Sequence, residues 1–393
     1  MTKPIYLDYN ATTPLDPAVV EAMQPFLREH FGNPSSAHAY GRIARDAVEA
    51  SRAQVAGLLG ARAAEIVFTG GGSEASNQAL KGVAFAALAK HHADELHVIT
   101  SSVEHPATRE PCAFLERLGC RVTVLPVDRH GVVDVAALRR ALERPTLLVS
   151  IMHANNEVGT LQPIEDIARL AHERGALVHT DAAQSAGKIA VDVERLGVDL
   201  LTLAGHKLYA PKGIGALYVR QSTLLEPLIH GAGHESGRRA GTENVPYMVA
   251  LGTACEVVAR SLPAATDRLR GLRDRLWERL KMGLGDRVVL NGHPEARLPN
   301  TLNVSFLGHV GAELLEAVPE IAASTGSACH EGQVRLSPVL EAMGVSAELG
   351  AGAVRLSVGR FTTEAEVDRA AALLASRATA QRAGGLQGSR AGS

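Results

Sequence analysis

A lysine stands between two apolar runs in the middle of the chain. Residues 200–220 read LLTLAGHKLYAPKGIGALYVR, so that Lys207 follows a glycine and a histidine and is itself followed by a proline and two glycines. The pattern predicts a strand, a sharp turn that holds Lys207, and a second strand. A lysine desolvated at such a turn loses its proton readily, and the neutral amine can form a Schiff base with an aldehyde cofactor. Because most lysines are exposed to solvent, the rest of the sequence must decide between an active and a surface lysine.

Further polar residues follow other apolar runs of strand length: Ser73, His105, Asn156, Asp181 and Gln184. Apolar runs separated by helix-length segments predict a largely parallel α/β sheet, which binds ligands at the carboxyl ends of its strands. Taken singly, each residue has an ordinary structural role, such as capping a helix or holding a turn. Six such groups at one edge, with Lys207 among them, predict an active site.

The segment EIVFTGGGSEASNQALKG combines a strand (66–69), three glycines and a helix from about Glu74. This arrangement points free backbone N–H groups and the positive end of the helix at an anion, commonly a phosphate. The G-K-[ST] ending of a P-loop is missing. A plain strand-to-helix connection would explain this segment, taken alone, equally well.

The length of 393 residues predicts two domains. The segment 231–245, rich in glycine and arginine, is expected to be a loop, either flexible at the surface or donated to a neighbouring site. The helix that follows it is expected to end at Pro263, close to the main domain boundary. We predict a large domain over 15–260, a smaller α+β domain built from 1–14 and 261–380, and a disordered tail over 381–393.

Composition excludes several classes of protein. The chain is 46% hydrophobic and 21% charged with a net charge of −2, so no charge bias indicates a nucleic acid or an anionic membrane as partner. No uninterrupted apolar run is long enough to span a bilayer, and the start MTKPIYLDYN lacks the features of a signal peptide. Four scattered cysteines indicate neither a zinc site nor a disulfide framework, so we expect a cytoplasmic protein.

Taken together, these segments resemble the pyridoxal-phosphate-dependent cysteine desulfurases of the class V aminotransferase-like group. The resemblance runs from YLDYNATTP to RLSVGRFTTEAEVD and rests on FTGGGSEASN, EHPA, HANNEVG, HTDAAQSAGK, GHKLYAPKGIGALYV, RRAGTEN and GSAC. It implies the fold type I architecture of pyridoxal-phosphate enzymes. In that fold a large α/β domain with a mainly parallel seven-stranded sheet is joined to a smaller α+β C-terminal domain.

The resemblance also implies a role for each candidate residue. Lys207 would hold pyridoxal 5'-phosphate covalently, Asp181 would pair with the ring nitrogen, and Gln184 would bond the phenolic oxygen. Asn156 would lie near that oxygen and the substrate, and His105 would stack on the ring and carry protons. The phosphate would be held by Gly72, Ser73, His206 and, from a second copy in a homodimer, Thr242. The substrate L-cysteine would be bound by Arg355, Asn156 and Asn33.

Cys329 would be the nucleophile that takes the substrate sulfur as a persulfide, leaving alanine. Its flanks, STGSAC, are small and polar, as suits a loop that delivers sulfur to an acceptor protein, for example in iron–sulfur cluster assembly. Cys112, Cys120 and Cys255 are better explained as buried free thiols. No resident metal is expected, although Cys329 could ligate a cluster transiently.

Two departures from the family pattern leave alternatives open. Ala204 stands where many relatives carry a serine that donates to the phosphate, and the short Gly/Ser-rich end does not resemble a tail that docks a scaffold. A selenocysteine lyase shares the lysine and the cysteine. A class V aminotransferase would not need Cys329, and a third alternative is a cofactor-binding scaffold without activity.

Overall fold

A computed structural model describes residues 3–325, 329–330, 333–334 and 336–387, with the backbone alone for 329–330, 333–334 and 381–387. Within these residues, strands alternate with helices through the first two thirds of the chain. The strands are β1 Ile5–Tyr6, β2 Ile66–Thr69, β3 His97–Ser101, β4 Arg121–Leu125, β5 Leu148–Ser150, β6 Leu177–Asp181, β7 Leu200–Ala204, β8 Gly215–Val219, β9 Val288–Asn291, β10 Thr301–Phe306, β11 Ile321–Ala322, β12 Cys329–His330, β13 Gln333–Val334 and β14 Ala353–Ser357.

The helices begin where the sequence supplies caps. Asp16 accepts from the Ala18 N–H at the start of the first helix, and Pro17 occupies the first helical position, where its missing N–H costs nothing. The helices are α1 Pro17–Arg28, α2 Ala39–Leu59, α3 Gly72–Leu88, α4 Pro106–Arg117, α5 Val135–Ala141, α6 Ile164–His172, α7 Val193–Leu196, α8 Val245–Leu284, α9 Gly311–Glu316, α10 Pro338–Ala342, α11 Ala347–Ala351 and α12 Glu364–Gln387.

The central element is a seven-stranded sheet in the order β2-β8-β7-β6-β5-β3-β4. Strand β8 runs antiparallel to both of its neighbours, and the other adjacent pairs are parallel. Strands β3, β5, β7 and β8 are buried along their whole length, as expected of a sheet covered by helices on both faces. The predicted fold class, including a mainly parallel sheet of seven strands, is confirmed.

Most buried apolar side chains form separate cores in the two halves of the chain, and a smaller cluster, in which Val103 lies with Val339, joins the halves. One cluster packs α1, α2, α6 and the first half of α8 on one face of the sheet, and a second packs α3 and α4 on the other face. A third cluster joins the second half of α8 to α12 and to a small antiparallel sheet, β14-β10-β9. The N-terminal residues Ile5 and Leu7 belong to this third cluster. The clusters support the proposed division at residue 260, which stays a proposal.

Helix α8 corrects one prediction, because it continues through Pro263 instead of ending there. A proline inside a helix removes one backbone hydrogen bond and strains the preceding turn. In α8 the helix is packed on both sides of Pro263. Val258 lies in the first cluster, on the seven-stranded sheet, and Leu269 lies in the third cluster, on the small antiparallel sheet. Tertiary packing on both sides thus stabilises a continuous helix that the local sequence disfavours.

By length and composition alone, the segment Val245–Arg287 at α8 could also cross a membrane. The buried apolar residues of this segment lie in two of the hydrophobic clusters, so we interpret it as a core helix. The last helix, α12, corrects a second prediction. It extends to Gln387 and therefore includes 381–387, which the sequence analysis assigned to the disordered tail; residues 388–393 lie outside the described part of the chain.

Candidate active site

Lys207 lies in a tight 3-10 turn, Gly205–Lys207, between strands β7 and β8. Its ammonium donates to the backbone oxygens of Asn10, at 2.5 Å, and Ala11, at 2.6 Å. Desolvation first, and then the charge of Arg355, lower the pKa of the Lys207 amine from 10.5 to about 8, against the opposing effects of Asp8 and Asp181. A substantial neutral fraction near neutral pH is what a Schiff-base lysine requires. The predicted order of strand, sharp turn with Lys207, and strand is confirmed.

The glycine-rich turn opens helix α3 toward the same space. Gly71 precedes the helix with a φ of 144°, which side chains rarely adopt, and Gly72 and Ser73 form its first turn. A Cβ at Gly215 would lie 2.7 Å from the backbone of Gly71, so strand β8 approaches this turn closely only because it carries glycine there. The free N–H groups of the first turn of α3 form an anion-binding end.

His206 and Ala204 lie beside this helix end. His206 contacts the Thr12 hydroxyl at 3.3 Å through Nδ1, and burial with nearby cationic groups lowers the pKa of its imidazole to about 4. A neutral imidazole can still donate one hydrogen bond to a phosphate. The Ala204 Cβ would lie 3.1 Å from a Cβ placed on Gly72, so a serine at this position would reach the helix end.

Asp181 ends strand β6 deep in the site. The Asp181 carboxylate accepts from the Ala183 N–H at 2.9 Å, and burial raises the pKa of the Asp181 carboxyl against the opposing charges of His105 and Lys207. His105 caps helix α4 by accepting from the Ala107 N–H at 3.0 Å, and desolvation lowers the pKa of its imidazole. His105 therefore caps a helix, which is the ordinary structural role considered for it, and it also lines the cavity.

Gln184 connects the site to a residue whose importance the sequence analysis missed. The Gln184 Nε2 donates to the Asn10 backbone oxygen at 3.0 Å, and its Oε1 accepts from Lys188 Nζ at 2.8 Å. Asn10 lies in the segment YLDYNATTP, which served in the sequence analysis only as the start of the family resemblance. The cluster of polar residues in that segment was the signal that could have identified it.

Arg355, on strand β14 of the small sheet, also lines the cavity. One of its guanidinium nitrogens donates to Asp8 Oδ1 at 2.7 Å, and the other donates to the Asn156 backbone oxygen at 3.1 Å. Asp8 accepts from the Ser324 hydroxyl as well, at 2.9 Å. The buried Nε of Arg355 has no hydrogen-bond partner among the described residues. The predicted carboxylate-binding arginine is therefore held in place by an aspartate that the sequence analysis did not select.

These groups line one cavity of about 730 Å³. Its walls include nine of the predicted site residues: Gly72, Ser73, His105, Asn156, Asp181, Gln184, His206, Lys207 and Arg355. They also include Asn10, Thr12 and Lys212, to which the sequence analysis gave no role. The expectation that polar residues at the strand ends meet around Lys207 is confirmed.

Two predicted residues do not reach this cavity within a single chain. Asn33 is exposed, and its side chain accepts from the Ser35 N–H at 2.9 Å, a local hydrogen bond within its own loop. The resemblance assigned Asn33 to the substrate, but the structure does not bring it there. Thr242 is also exposed and absent from the cavity wall, which leaves its predicted contact with a second copy as a prediction.

The thiol of Cys329 lies outside the described residues. Its backbone forms the two-residue strand β12, which pairs antiparallel with β13. The three other cysteines are free and buried. Desolvation raises the pKa of the Cys112 thiol to about 12 and that of Cys255 above its ordinary range. The expectation that these cysteines are buried free thiols is confirmed.

The donor set fits pyridoxal phosphate. An amine with a lowered pKa suits the aldehyde, the glycine-bounded end of α3 suits the phosphate, and a buried carboxylate suits a protonated ring nitrogen. The three groups line one cavity. Among the described residues, no group of three or more His, Cys, Asp and Glu side chains is placed to hold a metal.

Comparison with known proteins places the chain among characterised relatives. The model of the aminotransferase class-V family matches residues 5–370. A cysteine desulfurase IscS of Dictyoglomus turgidum is 47% identical over 94% of this chain and 93% of its own length. Among solved structures, a NifS-like protein superimposes with a TM-score of 0.88 at 38% identity, covering 96% of this chain and 99% of its own. A structure described as SspA in complex with cysteine has a TM-score of 0.79 at 38% identity, covering 92% and 100%.

Proposed function

The chain belongs to the aminotransferase class-V family and is a cysteine desulfurase, and from that premise we propose that it removes sulfur from L-cysteine with pyridoxal 5'-phosphate held on Lys207. The observation that carries the proposal is the single cavity shared by Lys207, Asp181, the N-terminus of α3 and Arg355. L-Cysteine as substrate is further supported by the relative whose solved structure is described as a complex with cysteine.

The cofactor supplies an electron sink for bonds broken next to the substrate nitrogen. Lys207 would hold its aldehyde carbon, Asp181 its ring nitrogen, Gln184 its phenolic oxygen, and Gly72, Ser73 and His206 its phosphate. Other residues of the chain would bind and orient the substrate. Arg355 would fix the substrate carboxylate, and Asn156, whose backbone oxygen already accepts from Arg355, would flank the substrate.

Proton movement would fall to Lys207 and His105. The lowered pKa of the Lys207 amine lets it give and take a proton near neutral pH, and the lowered pKa of His105 keeps its imidazole neutral and able to accept one. The thiol of Cys329 would attack the substrate sulfur. The balanced reaction is L-cysteine plus the Cys329 thiol giving L-alanine plus a persulfide on Cys329.

A second copy of the chain would complete the site. The exposed Thr242, on the loop before α8, would bond the phosphate of the partner copy, and the exposed Asn33 suits a role at the same interface. The persulfide would pass to a sulfur-acceptor protein, in iron–sulfur cluster assembly or another thiolation. We place the enzyme in the cytoplasm, a location that suits three free buried cysteines.

Mass spectrometry after a brief L-cysteine pulse tests this proposal. The wild type is expected to gain one sulfur mass on the peptide that carries Cys329 and to release alanine, whereas Cys329→Ala gains no sulfur and releases almost no alanine. Equal alanine release by Cys329→Ala would remove this thiol from the reaction. A rate with selenocysteine far above that with cysteine would instead assign the chain to the selenocysteine lyases.

A further inference from the structure

A second lysine, Lys188, is buried beside the site without a carboxylate partner among the described residues. It lies seven residues after Asp181, in HTDAAQSAGK, and 7% of its surface is exposed. Burial lowers the pKa of the Lys188 amine well below its ordinary value, and the charges of Lys207 and Arg355 act in the same direction. Because desolvating an amine is costly, a lysine at this position needs a compensating role.

The contacts of Lys188 show what that role is. Its Nζ donates to Gln184 Oε1 at 2.8 Å and to Asn10 Oδ1 at 3.1 Å. Both partners are amide side chains, whose two ends have nearly the same shape but opposite hydrogen-bonding character. A lysine that donates to both oxygens determines which end of each amide faces it.

For Gln184, the consequence is that the nitrogen end points the other way. The Gln184 Nε2 donates one proton to the Asn10 backbone oxygen at 3.0 Å, which leaves its second proton for an acceptor in the cavity. The reversed amide would present an oxygen there and would repel the phenolic oxygen of the cofactor.

Asn10 contacts both lysines, and its contact with Lys188 fixes the orientation of its side-chain amide. The Asn10 Oδ1 also accepts from Asn300 Nδ2 at 2.9 Å, and its Nδ2 donates to the Asn156 backbone oxygen at 3.2 Å. The backbone oxygen of Asn10 accepts from Lys207. Lys188 therefore helps to hold Asn10, the residue whose backbone oxygen accepts from the Lys207 ammonium.

We propose that Lys188 is a positioning residue, which holds the Gln184 amide with its donor end toward the phenolic oxygen of the cofactor. The proposal rests on the proposed function insofar as that function places pyridoxal phosphate in this cavity. It assigns a role to a side chain that is not part of the wall of the 730 Å³ cavity.

A double-mutant cycle with Gln184 tests the proposal. Lys188→Met keeps the length of the side chain but removes the donor, and Gln184→Met removes the amide. Both single variants are expected to bind pyridoxal phosphate roughly tenfold more weakly, the effect of one buried polar group that has lost its partner. Both are expected to shift the pH at which the visible band of the bound cofactor changes, in the same direction. The double variant is expected to match Gln184→Met alone.

Two further variants separate orientation from general damage. Lys188→Gln can still donate to Gln184 Oε1 and is expected to recover most of the affinity and the spectrum. Thr266→Val is the matched control, because the Thr266 hydroxyl donates to the backbone oxygen of Lys188 at 2.7 Å without touching the amide. It is expected to leave the spectrum unchanged. The thermal midpoints of the cofactor-free variants should stay within about 5 °C of the wild type.

The outcomes distinguish this inference from the proposed function. If the wild type binds the cofactor and makes alanine but Lys188→Met titrates like the wild type, the role of Lys188 is wrong and the enzyme assignment stands. Additive effects in the double variant would likewise overturn the role, because they would show that Lys188 acts independently of Gln184. A wild type that does not bind pyridoxal phosphate would refute both proposals.

Discussion

Asp8 and Arg355 form an ion pair at 2.7 Å across the wall of the cavity, although they lie at opposite ends of the chain. The side chains of both are mostly buried, so the charge of the arginine is compensated before any substrate arrives. The contact fixes one edge of the guanidinium, and the Asn156 backbone oxygen fixes another. Arg355 also lines the cavity, so the terminal N–H groups that donate to neither partner are available to the substrate carboxylate proposed there.

Replacing Asp8 should therefore weaken substrate binding more than it slows the chemical steps. For Asp8→Ala we expect the KM for L-cysteine to rise about tenfold, corresponding to about 1.4 kcal/mol, and kcat to fall less than threefold. Steady-state alanine formation measures both constants. Asp8→Asn, which keeps an oxygen acceptor, should show a smaller rise. A lower KM in Asp8→Ala would show that Asp8 competes with the substrate for Arg355.

The pH dependence of the rate of cofactor uptake should reveal the lowered pKa of the Lys207 amine. Burial and Arg355 bring the pKa of this amine to about 8, so about a tenth of it is neutral at pH 7, and the neutral fraction rises through pH 8. We expect the rate at which cofactor-free protein captures pyridoxal phosphate to rise with pH, with a midpoint near 8. Stopped-flow absorbance across a pH series measures this rate. A midpoint near 10 would show that the Lys207 amine is not perturbed.

Introducing a serine at position 204 should tighten cofactor binding. Ala204 is buried against Gly72 at the N-terminus of α3, where a hydroxyl would add one hydrogen bond to the phosphate. For Ala204→Ser we expect about fivefold stronger binding of pyridoxal phosphate, since one such bond contributes about 1 kcal/mol. Equilibrium titration of cofactor-free protein measures the affinity. Ala204→Val adds volume without a donor, so equal tightening in both variants would contradict the argument.

The sequence could predict the central sheet because most of its strands are short apolar runs separated by segments of helix length. It could also predict the meeting of His105, Asp181 and Lys207, because parallel strands place their carboxyl ends at one edge. The continuity of α8 through Pro263 could not be predicted, because two separate cores stabilise it and neither is visible locally. Asn10 and Asp8 were missed for a related reason: their partners lie more than a hundred residues away, at Lys188 and Arg355.

The loop that carries Thr242 is anchored by another long-range ion pair. The carboxylate of Glu235 accepts from both terminal nitrogens of Arg52, at 2.7 and 2.9 Å, and from the Phe68 N–H at 2.8 Å. Glu235 itself has a φ of 50°, which is uncommon for a residue with a side chain. The ion pair therefore holds a strained backbone in place, and the loop is not free at the surface.

Breaking this pair should destabilise the protein strongly. Glu235→Gln leaves the buried Arg52 with the largely exposed Glu49, at 3.3 Å, as its charged partner among the described residues, and we expect the free energy of unfolding to fall by about 3 kcal/mol. Urea denaturation of cofactor-free protein measures the change. Glu226→Gln is the matched control: its ion pair with His230 is exposed, with atoms 3.6 Å apart, and it should cost less than about 0.5 kcal/mol. The double variant Arg52→Met with Glu235→Gln should recover part of the loss, because no unpaired charge remains. If Glu235→Gln were as stable as the control, Arg52 would have to find compensation elsewhere, and the ion pair would not anchor the loop.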